Sequence, residues 1–196
     1  MREGNRSMKR LVVGVSGSSG VIFGVRLLEV LRTIPEVETH LILSKGARLT
    51  LQLETDRTTQ DVAALADVVH DHANLAASVS SGSFPVYGMV VAPCSMKSLA
   101  QIALSLGDNL LARAADVTLK ERRKLVLVPR ETPLHLGHLR HMVALAEMGA
   151  VILPPAPSFY HHPQTIMDMV DQTIGKILDQ FEIPHTLFKR WGGHDA

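Results

Sequence analysis

Chemistry-bearing residues in this chain gather where short apolar runs stop. After "KRLVVGV" comes "SGSSG", in which Gly17 and Gly20 leave the backbone bare and Ser16, Ser18 and Ser19 offer hydroxyls ahead of an apolar, helix-like segment. Backbone amides at a helix start, with no Cβ in the way, make an anion cradle. The same residues also suit a plain strand-to-helix turn. A dinucleotide fingerprint needs G-x-G-x-x-G and an acid about 20 residues on. Gly14, Gly17 and Gly20 instead give G-x-x-G-x-x-G, and the second apolar run ends in Ser44 and Lys45 with no acid. A mononucleotide phosphate or a flavin fits this loop better than a nicotinamide dinucleotide.

Three more run ends carry similar residues. "MVVAPC" is followed by Ser95, Met96, Lys97 and Ser98, where another helix begins and a serine cap suffices to explain Ser95. Cys94, the single cysteine, reads as a small buried apolar residue, because no histidine partner is evident. "KLVLVP" is followed by Arg130 and Glu131, and a guanidinium there suits bidentate phosphate binding. Arg113 and "KERRK", Lys120 to Lys124, add positive charge nearby; Arg122, Arg123 and Lys124 read as a solvated face, Lys120 and Arg130 as candidates. "AVILPP" leads into a stiff Pro-rich loop that either presents Tyr160 to a ligand or packs it locally. His161 and His162, like His135, His138 and His141, lack the i, i+4 pair with a carboxylate that marks a metal-bearing helix. They read as solvated or capping groups, and no metal is expected.

The elements that must position these residues follow from periodicity. Strands are expected at Lys9–Val15, Thr39–Leu43, Met89–Cys94 and Lys124–Pro129 and over "AVILPP". Helices are expected at Val21–Arg32, Ala47–Glu54, Thr59–Ala66, Ser95–Ser105, Asn109–Lys120, His135–Met148 and Gln164–Phe181. Short, continuously apolar strands alternating with amphipathic helices imply an α/β fold: a three-layer parallel sheet with helices on both faces. In such sheets ligands bind beyond the carboxyl ends of the strands.

Composition narrows the class. With 196 residues a single domain is expected, and 20 Lys+Arg against 19 Asp+Glu gives no global field for nucleic acid. No apolar run approaches the roughly 18 residues of a membrane span. The single cysteine excludes an intramolecular disulfide, and "MREGNRSMKR" lacks the apolar stretch of a secretory signal, so a cytoplasmic setting is expected. Residues 1–7 are polar and precede Met8; they are set aside as a disordered expression remnant or alternative start, leaving 8–196 as the domain.

Together the segments "VGVSGSSGVIFGVRLL", "ETHLILSK", "LETD", "SSGSF", "APCSMKSLA", "RAADVTLKERRKLVLVPRETPLHLGHLR" and "PPAPSFYHHPQ" resemble the UbiX-like flavin prenyltransferases, from Met8 to Trp191. The resemblance implies a Rossmann-like, flavodoxin-related fold, assembled as a homo-oligomer, commonly a dodecamer, with FMN between subunits. It implies transfer of a dimethylallyl group from dimethylallyl monophosphate to N5 and C6 of reduced FMN, without a metal, and a UbiD-type decarboxylase as recipient, in ubiquinone synthesis or aromatic acid decarboxylation. By motif, Gly17, Ser18, Ser19, Ser44, Ser95, Met96, Lys97, Ser98, Arg113 and Arg130 fall at the FMN. Ser19 and Glu54 fall at the reaction centre, and Lys120, Arg130, Glu131, Tyr160 and Lys176 at the prenyl phosphate. Lys176 departs from the arginine many relatives carry there, which keeps the charge but loses the fork. The alternatives are an FMN-dependent decarboxylase of the cysteine-decarboxylating type and a non-catalytic FMN carrier.

Overall fold

The structure, a computed structural model, describes residues 8–192. The N-terminal stretch 1–7 set aside above and the last residues, 193–196, lie outside the described residues. The chain runs β1 (Lys9–Val15), α1 (Val21–Leu31), β2 (Val37–Leu43), α2 (Lys45–Glu54), α3 (Thr59–Ala63), β3 (Val68–His70), β4 (Gly88–Cys94), α4 (Met96–Ala103), α5 (Leu110–Lys120), β5 (Lys124–Pro129), α6 (Leu136–Glu147), β6 (Val151–Ile152) and α7 (Ile166–Gln180). All pairings are parallel, in the order β3-β2-β1-β4-β5-β6. This is the doubly wound Rossmann order, whose direction reverses between β1 and β4 and opens a crevice above that pair.

The central strands are apolar throughout because both faces are covered. Every residue of β4 is buried. One face packs on α1 and α7 through Val13, Val90, Val25 and Ile174; the other on α4 and α5 through Met89, Val91, Leu99 and Leu111. Gly24 lets α1 approach β4, since a Cβ there would press on the Ala92 carbonyl and sit 2.8 Å from Val15 Cγ2. The sixth strand, β3, escaped the periodicity reading because its three residues are partly exposed and too few to show alternation. A hydrogen bond between His70 Nε2 and the buried His40 Nδ1, 2.9 Å, ties it to β2, and His40 Nε2 meets Glu38 at 2.7 Å.

Candidate active site

The strand ends converge as the sheet topology requires. Ser16, at the end of β1, is a brace: its Oγ donates to the Pro93 carbonyl at 2.9 Å and accepts the Ser95 amide at 2.7 Å, joining the exits of β1 and β4. The next hydroxyl is free for other work. Ser18 Oγ is buried and has no hydrogen-bond partner within the chain. A buried hydroxyl without a partner is costly unless a ligand supplies one.

The preceding residue, Gly17, lines a cleft of about 450 Å³, within the range of small-molecule and cofactor sites. Gly17, Ser44, Gly46, Ser95, Lys97 and Ser98 line one part of it; Lys45, His72, Ala73, Gln101, Asp108 and Asn109 complete the wall, and the Asp108 carboxylate takes the Gln101 and Asn109 side-chain amides on Oδ1 at 2.9 Å. Ser44 caps α2 by accepting the Ala47 amide at 3.0 Å, and Ser95 caps α4 by accepting the Ser98 amide at 3.2 Å. Two helix N-termini, the positive ends of their dipoles, therefore face the same space. Gly17 and Gly46 are in close backbone contact: a Cβ on Gly17 would stand 2.7 Å from Gly46 Cα. Burial, with the charges of Arg48 and Lys45, holds His72 below the ordinary histidine value, so it enters the cleft neutral. These features fit a flavin mononucleotide: bare backbone and helix N-termini for a phosphate, an unpartnered hydroxyl, and no carboxylate at the end of β2.

Beside the cleft, Glu54 closes the start of α1. Gly20 adopts a left-handed φ of 95° and offers no side-chain cap. Glu54, arriving from the last turn of α2, takes the Gly20 and Val21 amides on Oε2 at 2.9 and 3.1 Å. Burial raises its carboxyl, but a hydrogen bond from the Ser19 side chain, the two amides and the charge of Arg130 together draw it below the ordinary glutamate value. Glu54 is thus a carboxylate at neutral pH, suited to accept a proton rather than donate one, and Ser19 is its hydroxyl donor. Arg130 is held at the exit of β5, its amide on the Cys94 carbonyl at 3.2 Å; the neighbouring Glu131 Oε1 takes the Thr132 amide at 3.0 Å. Cys94 is fully buried and burial pushes its thiol up to about 12, which leaves it inert.

The remaining candidates lie elsewhere in the chain. Lys120, the last residue of α5, pairs with Glu121 beside Gly82 and lines a cleft of about 640 Å³ with Arg122, Lys124 and Glu147, at the amino end of β5. The six residues of β5, at about 3.3 Å each, put roughly 20 Å between that edge and the Ser19 edge. Arg113 Nε donates to the Ser80 carbonyl at 3.2 Å and its Nη1 meets Asp116 at 3.1 Å. Tyr160 and Lys176 belong to a cluster around α7, where Trp191 meets Tyr160 edge-on and Lys176 Nζ lies 3.8 Å from Asp179. His135 caps α6, its Nδ1 accepting the Gly137 amide at 3.0 Å. Among the described residues no group of three or more His, Cys, Asp or Glu is placed to hold a metal ion, and no helix is long and apolar enough to cross a membrane. Lys45, Gly46 and Asn109 escaped the sequence reading; the position of Lys45 and Gly46 directly after Ser44 was the available signal.

Ser18→Ala removes the unpartnered hydroxyl. Its expected effect is a roughly five- to tenfold loss of FMN affinity, the weight of one hydrogen bond, in a flavin fluorescence titration. The thermal stability of the flavin-free protein should be unchanged or slightly raised.

The family model described as Flavoprotein matches residues 2–191. The chain is 61% identical over 188 residues to the flavin prenyltransferase UbiX of Salmonella typhimurium, covering 95% of this chain and 100% of that protein. A solved structure of AnUbiX (PadA1) in complex with FMN and dimethylallyl pyrophosphate superimposes with a TM-score of 0.94 at 49% identity, covering 96% of this chain and 100% of that one. A dodecameric FMN-dependent UbiX-like decarboxylase from Escherichia coli O157:H7 gives 0.92 at 53% identity, covering 94% and 100%.

Proposed function

This chain belongs to the flavin prenyltransferases of the UbiX type, within the flavoprotein family, and from that membership we propose how its own residues carry a dimethylallyl group from dimethylallyl monophosphate onto FMN. The observation that carries the reading is the Glu54 side chain, whose Oε2 accepts the Gly20 and Val21 amides next to Ser19, beside a cleft of glycines, serines and helix N-termini. Gly17, Ser18, Ser19, Ser44 and the turn Ser95, Met96, Lys97 and Ser98 hold the cofactor, with Arg130 next to them. Reduced FMN, when bound, supplies the nucleophilic N5 and C6 atoms that take the prenyl group.

The chain's own task is to separate charge and move protons. Breaking an allylic C–O bond releases inorganic phosphate and leaves cationic character on the prenyl carbon. Arg130, Lys120, Lys176 and the Tyr160 hydroxyl receive the phosphate, with Glu131, whose Oε1 takes the Thr132 amide, beside Arg130 in the same set. Ser19 would act as a relay: its Oγ would take up the proton that the flavin N5 gives up on forming the N–C bond, while its own hydroxyl proton passes to the Glu54 carboxylate it is bonded to. Arg113 and Lys120 stand seven residues apart, on one face of α5. With Lys120 at the opposite edge of the sheet from Ser19, that face serves the site of a neighbouring copy in a homo-oligomer, a dodecamer by analogy with the solved relative described as dodecameric. A UbiD-type decarboxylase is the proposed recipient and the cytoplasm the proposed setting.

Incubating the protein with reduced FMN and dimethylallyl monophosphate should release a flavin heavier by one prenyl unit in the mass spectrum. Unchanged FMN from folded, flavin-loaded protein overturns the reading in favour of a carrier. Oxidative decarboxylation of a peptidyl cysteine would select the decarboxylase alternative instead.

A further inference from the structure

We propose that Arg190 is an additional phosphate-binding residue of the prenyl transfer, supplying the guanidinium fork that the lysine at position 176 lacks; the proposal rests on the prenyltransferase reading above. Arg190 follows the end of α7 by ten residues, yet the chain returns along that helix, and Phe188 and His185 lie against Gly175, where a Cβ would collide with both. The return ends at Asp179, whose two oxygens take the Arg190 Nη atoms at 2.6 and 3.1 Å. The same carboxylate meets His185 Nε2 at 3.2 Å and, at the longer distance of 3.8 Å, Lys176 Nζ. One anion thus serves two cations, with Arg190 at close range and Lys176 at the margin, and a positive charge is left over for a ligand.

The space beside this cluster has the character of an allylic phosphate. A cleft of about 410 Å³ is lined by Tyr160, His161, His162, Lys189, Arg190 and Trp191. The Tyr160 and Trp191 rings, 5.7 Å apart at 81°, form an aromatic wall suited to a prenyl chain and to cationic character on it. Arg190 and Lys189 supply charge at the same opening. The Arg190 side chain is 58% exposed, while Asp179, which holds it by two bonds, is only 21% exposed. Asp179 therefore keeps the guanidinium fixed at the opening, and the N–H groups of Arg190 that do not point at Asp179 are offered to a phosphate, whereas Lys176 offers one point charge without a fork.

The test compares Arg190→Ala, Arg190→Lys, Asp179→Asn and the double variant Arg190→Ala/Lys176→Arg in steady-state prenyl transfer, with thermal shifts induced by inorganic phosphate as a second readout. Arg190→Ala should raise KM for dimethylallyl monophosphate roughly tenfold to hundredfold, with a smaller change in kcat and a lost phosphate-induced shift. Arg190→Lys should lie between it and the parent, and Lys176→Arg in the Arg190→Ala background should recover much of the loss by returning a fork to the cluster. An unchanged KM in Arg190→Ala overturns the proposal. So does equal impairment in Asp179→Asn, which would mean that Arg190 acts only by pinning the chain end to α7. Failure of the unsubstituted protein to prenylate FMN would instead overturn the underlying reading.

Discussion

Glu54→Gln should lower prenyl transfer by about 10²- to 10⁴-fold, the usual weight of a positioned proton acceptor, while FMN binding survives. The substitution separates the two tasks of this side chain. A glutamine oxygen still accepts the Gly20 and Val21 amides that Glu54 now holds at 2.9 and 3.1 Å, so the start of α1 remains closed and the fold intact. The negative charge that Ser19 and Arg130 stabilise is lost. Single-turnover transfer with bound flavin checks the chemical step, and flavin fluorescence checks the cradle. Because these neighbours draw the carboxyl below its ordinary value of about 4.3, Glu54 stays ionised through the neutral and mildly acidic range. The acid limb of the pH–rate profile should therefore fall off only below that value. A depressed carboxyl also makes its cap of α1 a contribution present at higher pH and lost as pH falls through the lowered value. Retained activity in Glu54→Gln would remove Glu54 from proton transfer and leave it as a helix cap.

The second large effect concerns the division of the site between copies. Lys120→Ala should reduce transfer by about 10- to 10³-fold, as expected for the loss of one positive group from a developing phosphate, without weakening FMN binding to the cleft about 20 Å away along the sheet. The decisive experiment mixes defects. If Lys120 serves a neighbour, co-expressing Lys120→Ala with Glu54→Gln yields mixed oligomers in which about a quarter of the sites combine an intact Glu54 with an intact Lys120. Activity should then return to about that fraction of the parent, although each variant alone is nearly inactive. Mixed oligomers no more active than the separate variants would place both groups in one copy's site, or remove Lys120 from it.

Particular residues mark how far the sequence reaches. Ser16, Ser18 and Ser19 are one residue type within four positions, and their clustering after an apolar run was sufficient to nominate the loop. Their fates differ: Ser16 is consumed in joining β1 to β4, Ser18 Oγ is left buried without a partner, and Ser19 serves Glu54. Nothing local distinguishes them, because the difference depends on β4 lying beside β1. Glu54 was named from "LETD" by resemblance, but its hold on two amides 33 and 34 residues back in the chain requires α2 to end over the start of α1. Arg190 and Trp191 were invisible as site residues until the chain end was seen to return to Asp179 and Tyr160.

By itself the sequence determined the alternation of buried strands and amphipathic helices, the bare serine-lined exits, and the absence of a ribose-binding acid. Burial periodicity and glycine geometry are local properties of the chain. The tertiary structure alone decided which hydroxyl braces and which is left buried without a partner, that Glu54 accepts the amides at the start of α1, and that the cationic end of α5 lies at the opposite edge of the sheet from Ser19. Those outcomes depend on strand order and on which edge of the sheet an element ends, and both are set by packing between residues far apart in sequence.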